Sequence, residues 1–197
     1  MQRVRDFFGE IDQKWPTDPS ERVRLHIIGC SALMLQTNYD RGTKDSDVFD
    51  TVDLAAATKE HLLRLAGVET ELAKRRRMYV EIVANGIPFL PYGPLWHPID
   101  EVNGALKRIE VLALDVVDVV VAKLKPFRPN DKADIDAMIK RDLVPHARLV
   151  ERFRTAADGW AGGGLGDRLP QYIKSLNEVE RDMLGVDETE IELPSWI

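Results

Sequence analysis

The stretch HIIGCSALMLQTNYDRGTKDSDVF, residues His26–Phe49, decides the reading of this chain. It opens on a short apolar run, turns at Gly29-Cys30-Ser31, and ends with Arg41, Thr43 and the pair Asp45-Ser46-Asp47 ahead of apolar Val48 and Phe49. Two carboxylates one residue apart at the head of an apolar run suggest a strand. On a strand residues i and i+2 share a face, so Asp45 and Asp47 point the same way. Aligned carboxylates repel unless a cation sits between them, and hard oxygen ligands favour Mg²⁺ or Mn²⁺. A small polar turn upstream brings backbone N–H groups close to phosphate. A DxD pair alone is common on solvated loops. Its place before an apolar stretch and after Gly-x-Ser is what favours a metal site.

Working outward, residues 1 to about 23 read as an amphipathic helix broken near Pro16, with Phe7, Phe8, Ile11 and Trp15 at helical spacing. VRLHII (Val23–Ile28) reads as a strand ending at Gly29, and SALMLQ starts a helix that Ser31 is placed to cap. Asp45–Phe49 is the second strand. VDLAAATKEHLLRLAGV is a helix ended by Gly67. RMYVEIV (Arg77–Val83) alternates and is rich in branched and aromatic residues, so it reads as a third strand. IPFLPYGPLWHP is a Pro-rich irregular connection, and KRIEVLALD a fourth strand leading into a helix from Asp115 to about Lys125. Beyond that the pattern is helical: Asp131 to about Arg141, Val144–Ala157, and Leu169–Leu184, the last two separated by the Gly-rich link DGWAGGGLGDRLP. The acidic tail DETEIELPSWI packs through Trp196 or frays. The expected fold is α/β (α+β): a small mixed sheet with flanking helices over residues 1–114, then a helical C-terminal region, 115–197, packed on that core.

Bulk properties fit a soluble cytoplasmic protein: 197 residues, 44% hydrophobic and 30% charged. No run approaches the ~18–20 apolar residues of a membrane helix; the longest, VLALDVVDVVVAKL, is cut by Asp115 and Asp118. The segment MQRVRDFFGEIDQKW is too charged for a signal peptide. The single cysteine, Cys30, rules out an internal disulfide and reads as a small buried hydrophobe rather than a nucleophile, since no base is visibly paired with it. A net charge of −6 argues against broad nonspecific nucleic-acid binding but leaves room for a local basic patch. Lys74-Arg75-Arg76-Arg77 is one; it either grips a phosphate backbone or solvates a helix end. His26, His61, His97 and His146 show no metal-ligand spacing. The Trp96-His97 pair borders a base pocket or simply packs. Glu81, in an apolar strand, is costly to bury unless paired or metal-bound. A surface position, or a salt bridge to one of Arg75–Arg77, is the alternative.

The pattern hG-x-S, a helical turn, then R-x-T-x-D-x-D resembles the nucleotidyltransferase superfamily that includes DNA polymerase β. Within it, the chain looks most like the AbiEii-like branch, which includes toxins of type IV toxin–antitoxin systems. Arg41, Thr43, Asp45 and Asp47 match that branch's run residue by residue. Gly29 and Ser31 match the outer positions of its G-G-S/T turn, and Cys30 stands where a second glycine is usual. The superfamily adds a third carboxylate from a later strand, here Glu81 where Asp is commoner. Downstream, VVVAKLKPFRPNDKADIDAMI resembles the branch's K-L-x-A-x-R-x-x-D-x-x-D-I run through Lys123, Arg128, Asp131, Asp134 and Ile135, with Pro126 in place of alanine.

The resemblance implies a two-metal-ion nucleotidyltransferase that moves an NMP from an NTP to a hydroxyl of RNA (a tRNA end among the candidates) or of a protein. Asp45, Asp47 and Glu81 would be catalytic and hold Mg²⁺ or Mn²⁺. Gly29, Ser31, Arg41, Thr43 and Lys123 would bind or shape the nucleotide phosphates. Arg128, Asp131 and Asp134 would support them, by orienting Lys123 or Arg128, by acting as a base, or by capping the next helix. The same likeness implies an antitoxin protein as partner. The alternative is a nucleotide-binding or protein-interaction module of the same fold that has lost transfer.

Overall fold

The computed structural model describes residues 2–16, 22–37, 39–162 and 166–192. By contacts the chain divides into two compact units, residues 1–87 with 96–115, and residues 88–95 with 116–197.

The first unit is built on a five-stranded mixed sheet: β1 (Val23–Ile28), β2 (Asp45–Phe49), β3 (Tyr79–Val83), β4 (Trp96–Pro98) and β5 (Ile109–Leu114), in spatial order β3-β2-β1-β5-β4. β1 runs antiparallel to β2 and parallel to β5; β2 is parallel to β3, and β4 antiparallel to β5. Its helices are α1 (Gln2–Lys14), α2 (Gly29–Gln36), α3 (Ala56–Ala66), α4 (Glu71–Arg76) and α5 (Asp100–Asn103).

Period-two alternation explains the two faces of this sheet. One face presents Leu25, Ile27, Val48, Val80, Ile109, Val111 and Ala113, all buried. α2 packs on this sheet, and α1, through fully buried Val4, Phe7, Phe8 and Ile11, packs on α2, α3 and α5. The other face carries the charged residues Arg24, Asp45, Asp47, Glu81 and Glu110. Asp12, 4% exposed, fastens α1 to the start of β5: its carboxylate accepts the backbone N–H groups of Lys107, Arg108 and Ile109 at 3.0, 2.6 and 3.0 Å.

The second unit comprises α6 (Val116–Lys123), α7 (Pro129–Ile139), α8 (His146–Gly162), a 3₁₀ turn at Gly166–Arg168, α9 (Leu169–Glu178) and a π-helical turn at Val179–Leu184. The segment 88–95 belongs to it. Fully buried Phe89 meets Phe153, Trp160 and Tyr172 at ring-centroid distances of 5.4, 5.6 and 5.0 Å. Buried Asp118 of α6 accepts the N–H of Leu95 and a bidentate pair of bonds from Arg152 of α8.

The expected strands at Val23–Ile28 and Asp45–Phe49 are present at those bounds, and Gly67 follows the last residue of α3. Four expectations need correction. The Gly-rich link does not begin at Asp158, because α8 runs on through Gly162. The Pro-rich connection is not irregular throughout, because Trp96–Pro98 form the edge strand β4 against β5. Ser31 does not cap α2: the helix begins at Gly29, Ile28 occupies the cap position, and the Ser31 hydroxyl donates to the backbone oxygen of Asp45 at 2.9 Å. The helix expected from Val52 starts only at Ala56, with Val52 exposed. Residues 17–21 of the first expected helix, 163–165 of the Gly-rich link, and Trp196 lie outside the described residues.

Candidate functional site

Strand register fixes which side chains meet on the polar face. Tyr79 lies beside Asp45, and Glu81 beside Asp47, across the parallel pair β3–β2. On its other side Asp47 faces Ile28, which aligns through the β1–β5 and β5–β4 pairings with Leu114 and then Trp96. One dipeptide step further from β1's C-terminal end, the same register sets Phe49 opposite His26. A further step reaches Arg24, paired with Glu110 of β5. Asp45, Asp47 and Glu81 thus share a face as the sequence led us to expect, and Tyr79 shares it with them.

Gly29 joins β1 to α2 with φ +66°, the left-handed region where a Cβ is strained. A Cβ built there would sit 2.6 Å from Oδ2 of Asp47, so the backbone lies directly against that carboxylate. The first N–H groups of α2 have no side-chain cap. The positive end of a helix dipole and the N–H groups of its first turn suit an anion. The matched residues of the sequence motif brace this corner. Thr43 donates to the Asp45 carboxylate in a short hydrogen bond, and Ser31 holds the Asp45 backbone. The Arg41 guanidinium contacts the Cys30 sulfur at 3.4 Å. Cys30 is 6% exposed, as expected of a buried small residue.

The donor set is three carboxylates on one sheet face, hard oxygens of the kind that hold Mg²⁺. Their field is felt at Tyr79, whose phenol is pushed above its usual pKa, by burial first and then by Asp45, Glu81 and Asp47. A cation among them would relieve that charge, so the residues fit a divalent metal in kind. Among the described residues, however, no three His, Cys, Asp or Glu side chains are grouped as a metal site. Asp45 is turned to Thr43, Asp47 to Gly29, and Glu81 stands exposed at the edge strand.

In the second unit the downstream motif forms its own cluster. Lys123 is 7% exposed, and its Nζ lies 2.8 Å from both Asp131 Oδ1 and Asp134 Oδ2. Burial works against its charge, but the hydrogen bonds it donates to Asp131 and Asp134, with their negative charge, outweigh it and raise the Lys123 pKa. Asp131 also accepts the backbone N–H of Arg128 at 3.1 Å, capping α7. Two of the roles open in the sequence, orienting Lys123 and capping the helix, are therefore performed by one residue.

The basic run ends α4. Arg75 and Arg76 pair with Glu10, and Arg76 also with Asp6, so these two arginines are committed to α1, while Lys74 pairs with Glu71 of its own helix. Burial would raise the Glu10 pKa, yet these hydrogen bonds from Arg76 and Arg75 bring it below its usual value. A cavity of about 570 Å³ lined by residues of α1 and α5, by Arg76 of α4 and by Ala105 and Leu106 shares no residue with the carboxylate site. Strand alternation puts Tyr79 on the face of Glu81, but the contributions of His26 and Phe49 to that face were not singled out from sequence. The signal was present in the period of two, since Phe49 follows Asp47 by two residues.

A family model described as "Nucleotidyltransferase of unknown function (DUF6036)" matches residues 3–158. No curated protein and no solved structure matches the chain. No helix among the described residues is long and apolar enough to cross a membrane.

Proposed function

The chain belongs to this nucleotidyltransferase family, and from that premise we propose that it transfers an NMP from an NTP to a hydroxyl of an RNA or protein acceptor, using Mg²⁺ or Mn²⁺. The observation that carries this reading is the corner where Gly29, at the start of α2, abuts Asp47 on the face shared with Asp45 and Glu81. Asp45, Asp47 and Glu81 would hold the metal, which when bound neutralises phosphate charge and lowers the pKa of the acceptor hydroxyl. The N–H groups of the Gly29–Ser31 turn bind the anionic phosphates next to that carboxylate. Ser31 and Thr43 hold the Asp45 end of β2 in register with α2. The acceptor oxygen bonds to the α-phosphorus as the bond to pyrophosphate breaks, and the acceptor proton passes to solvent. The R-x-T-x-D-x-D and Lys123–Asp134 motifs support an AbiEii-like assignment, a toxin role and an antitoxin partner.

A second reading, a nucleotide-binding or protein-interaction module without transfer, is favoured by one observation: Lys123 is buried against Asp131 and Asp134. Incubating the protein with α-labelled NTPs, Mg²⁺ and total RNA separates the two. Label in RNA or protein supports the enzyme; nucleotide binding without label supports the module.

A further inference from the structure

His26 and Phe49, one dipeptide step along β1 from Asp47, form an aromatic group on the polar face with Trp96, whose backbone is level with Asp47. The Trp96 ring stacks on Phe49 at 6.0 Å and 28°, and meets His26 edge-on at 4.7 Å and 80°. Trp96 and His26 are only partly buried. A histidine that merely packs is normally anchored by its ring nitrogens. The His26 Nδ1 has no hydrogen-bond partner among the described residues, so the ring is unanchored there. Arg24, its side chain 68% exposed and its Nε 3.2 Å from Glu110 Oε2, follows two residues away on the same face, with its guanidinium open to a further anion.

The order along β1 is informative. The phosphate turn lies at the C-terminal end of this strand, Asp47 beside Ile28, the aromatic group at His26, and a cation at Arg24. Displacement at phosphorus is in line, so the acceptor enters on the side of the α-phosphate opposite the leaving pyrophosphate. With pyrophosphate at the Gly29 turn, that side is the one bearing His26, against which the Trp96 ring packs. Successive residues on one strand face lie about 6.5 Å apart, close to the spacing of bases along an extended single strand. We infer that Trp96 and His26 form a base-stacking subsite for the end of a single-stranded polynucleotide acceptor, with Arg24 meeting its next phosphate.

This rests on the nucleotidyltransferase reading and narrows its acceptor to nucleic acid. The test is binding of a fluorescent single-stranded RNA hexamer to the full-length protein, beside titration with a non-hydrolysable NTP and a melting curve. His26→Ala and Trp96→Ala are expected to weaken hexamer binding by roughly 5- to 150-fold, the range for loss of base stacking, and Trp96→Phe, which keeps a ring to pack and to stack, by less than Trp96→Ala. The hexamer-to-NTP affinity ratio should fall accordingly. Hexamers with one abasic position near the 3′ end should lose affinity for the wild type by a similar factor, a readout that no misfolded variant can mimic. Arg24→Ala should lower the slope of log affinity against log salt by about one. Abasic and intact hexamers binding alike, or equal losses for hexamer and NTP, would overturn the subsite. NTP binding with label transferred to protein, but no hexamer binding, would overturn it while leaving nucleotidyl transfer intact; loss of NTP binding and of all label would overturn both.

Discussion

Gly29→Ala separates the fold of the site from its chemistry. At φ +66° an L-residue costs about 1–2 kcal/mol relative to glycine. The new methyl carbon would start 2.6 Å from Asp47 Oδ2, and ordinary contact begins near 3.4 Å, so the carboxylate must retreat by about 0.8 Å. Oδ2 ends a side chain that can rotate, so this second effect adds little to the stability loss. For a chain of this size 1 kcal/mol corresponds to about 2–4 °C in Tm, giving an expected drop of about 2–8 °C. The rate responds differently, because a displacement near 1 Å of a reacting group costs on the order of 100-fold. Differential scanning fluorimetry and labelled-NTP transfer, run on the same preparation, measure the two effects. An unchanged Tm would refute the left-handed geometry at Gly29. A lowered Tm with transfer within a few-fold of wild type would refute the placement of Asp47 in the chemistry.

Asp47→Ala should abolish transfer without lowering Tm, since it removes like-charge repulsion beside Asp45; a strongly destabilised protein would mark Asp47 as structural. Asp12→Ala strands three backbone N–H groups at the start of β5 and should cost about 3 kcal/mol in urea unfolding. Lys123→Met leaves fully buried Asp134 without its cation and should cost about 3–5 kcal/mol. The same pair predicts a pH dependence. Because the folded state raises the Lys123 pKa, its contribution is complete below the ordinary value of 10.5 and fades as pH rises through the raised one. Alkaline melting curves of wild type should therefore lose stability in that window, and Lys123→Met should lose less.

Much of the first unit was legible because its signals are local. Val23–Ile28 and Asp45–Phe49 carry branched and apolar residues between a glycine and polar turns, and those features end strands wherever the strands finally pair. The shared face of Asp45 and Asp47 followed from backbone geometry alone. Ser31 was misread because its hydroxyl had two competing acceptors or donors within reach. Pairing with the Asp45 backbone, fourteen residues away, won over the local cap. β4 was missed because three residues containing a proline have no local strand signal; they are strand only because β5 pairs with them. Lys123 could be matched to a motif, but its burial against Asp131 and Asp134 depends on how α6 and α7 pack, which spacing does not specify.

The seating of Phe89 among Phe153, Trp160 and Tyr172 has a consequence for how the chain is made. On a ribosome adding about 5–20 residues per second, Phe89 is synthesised some 4–17 s before Tyr172. During that interval the segment 88–95 has no aromatic pocket to enter, and a large apolar ring is available to chaperones or to neighbouring chains. Neither unit is a contiguous stretch of the gene either. Cutting the chain after residue 115 would strip Phe89 of its partners, and expressing 116–197 alone would leave a hole where Phe89 belongs. Dissection of this protein therefore calls for co-expression of fragments or permuted termini rather than simple truncation.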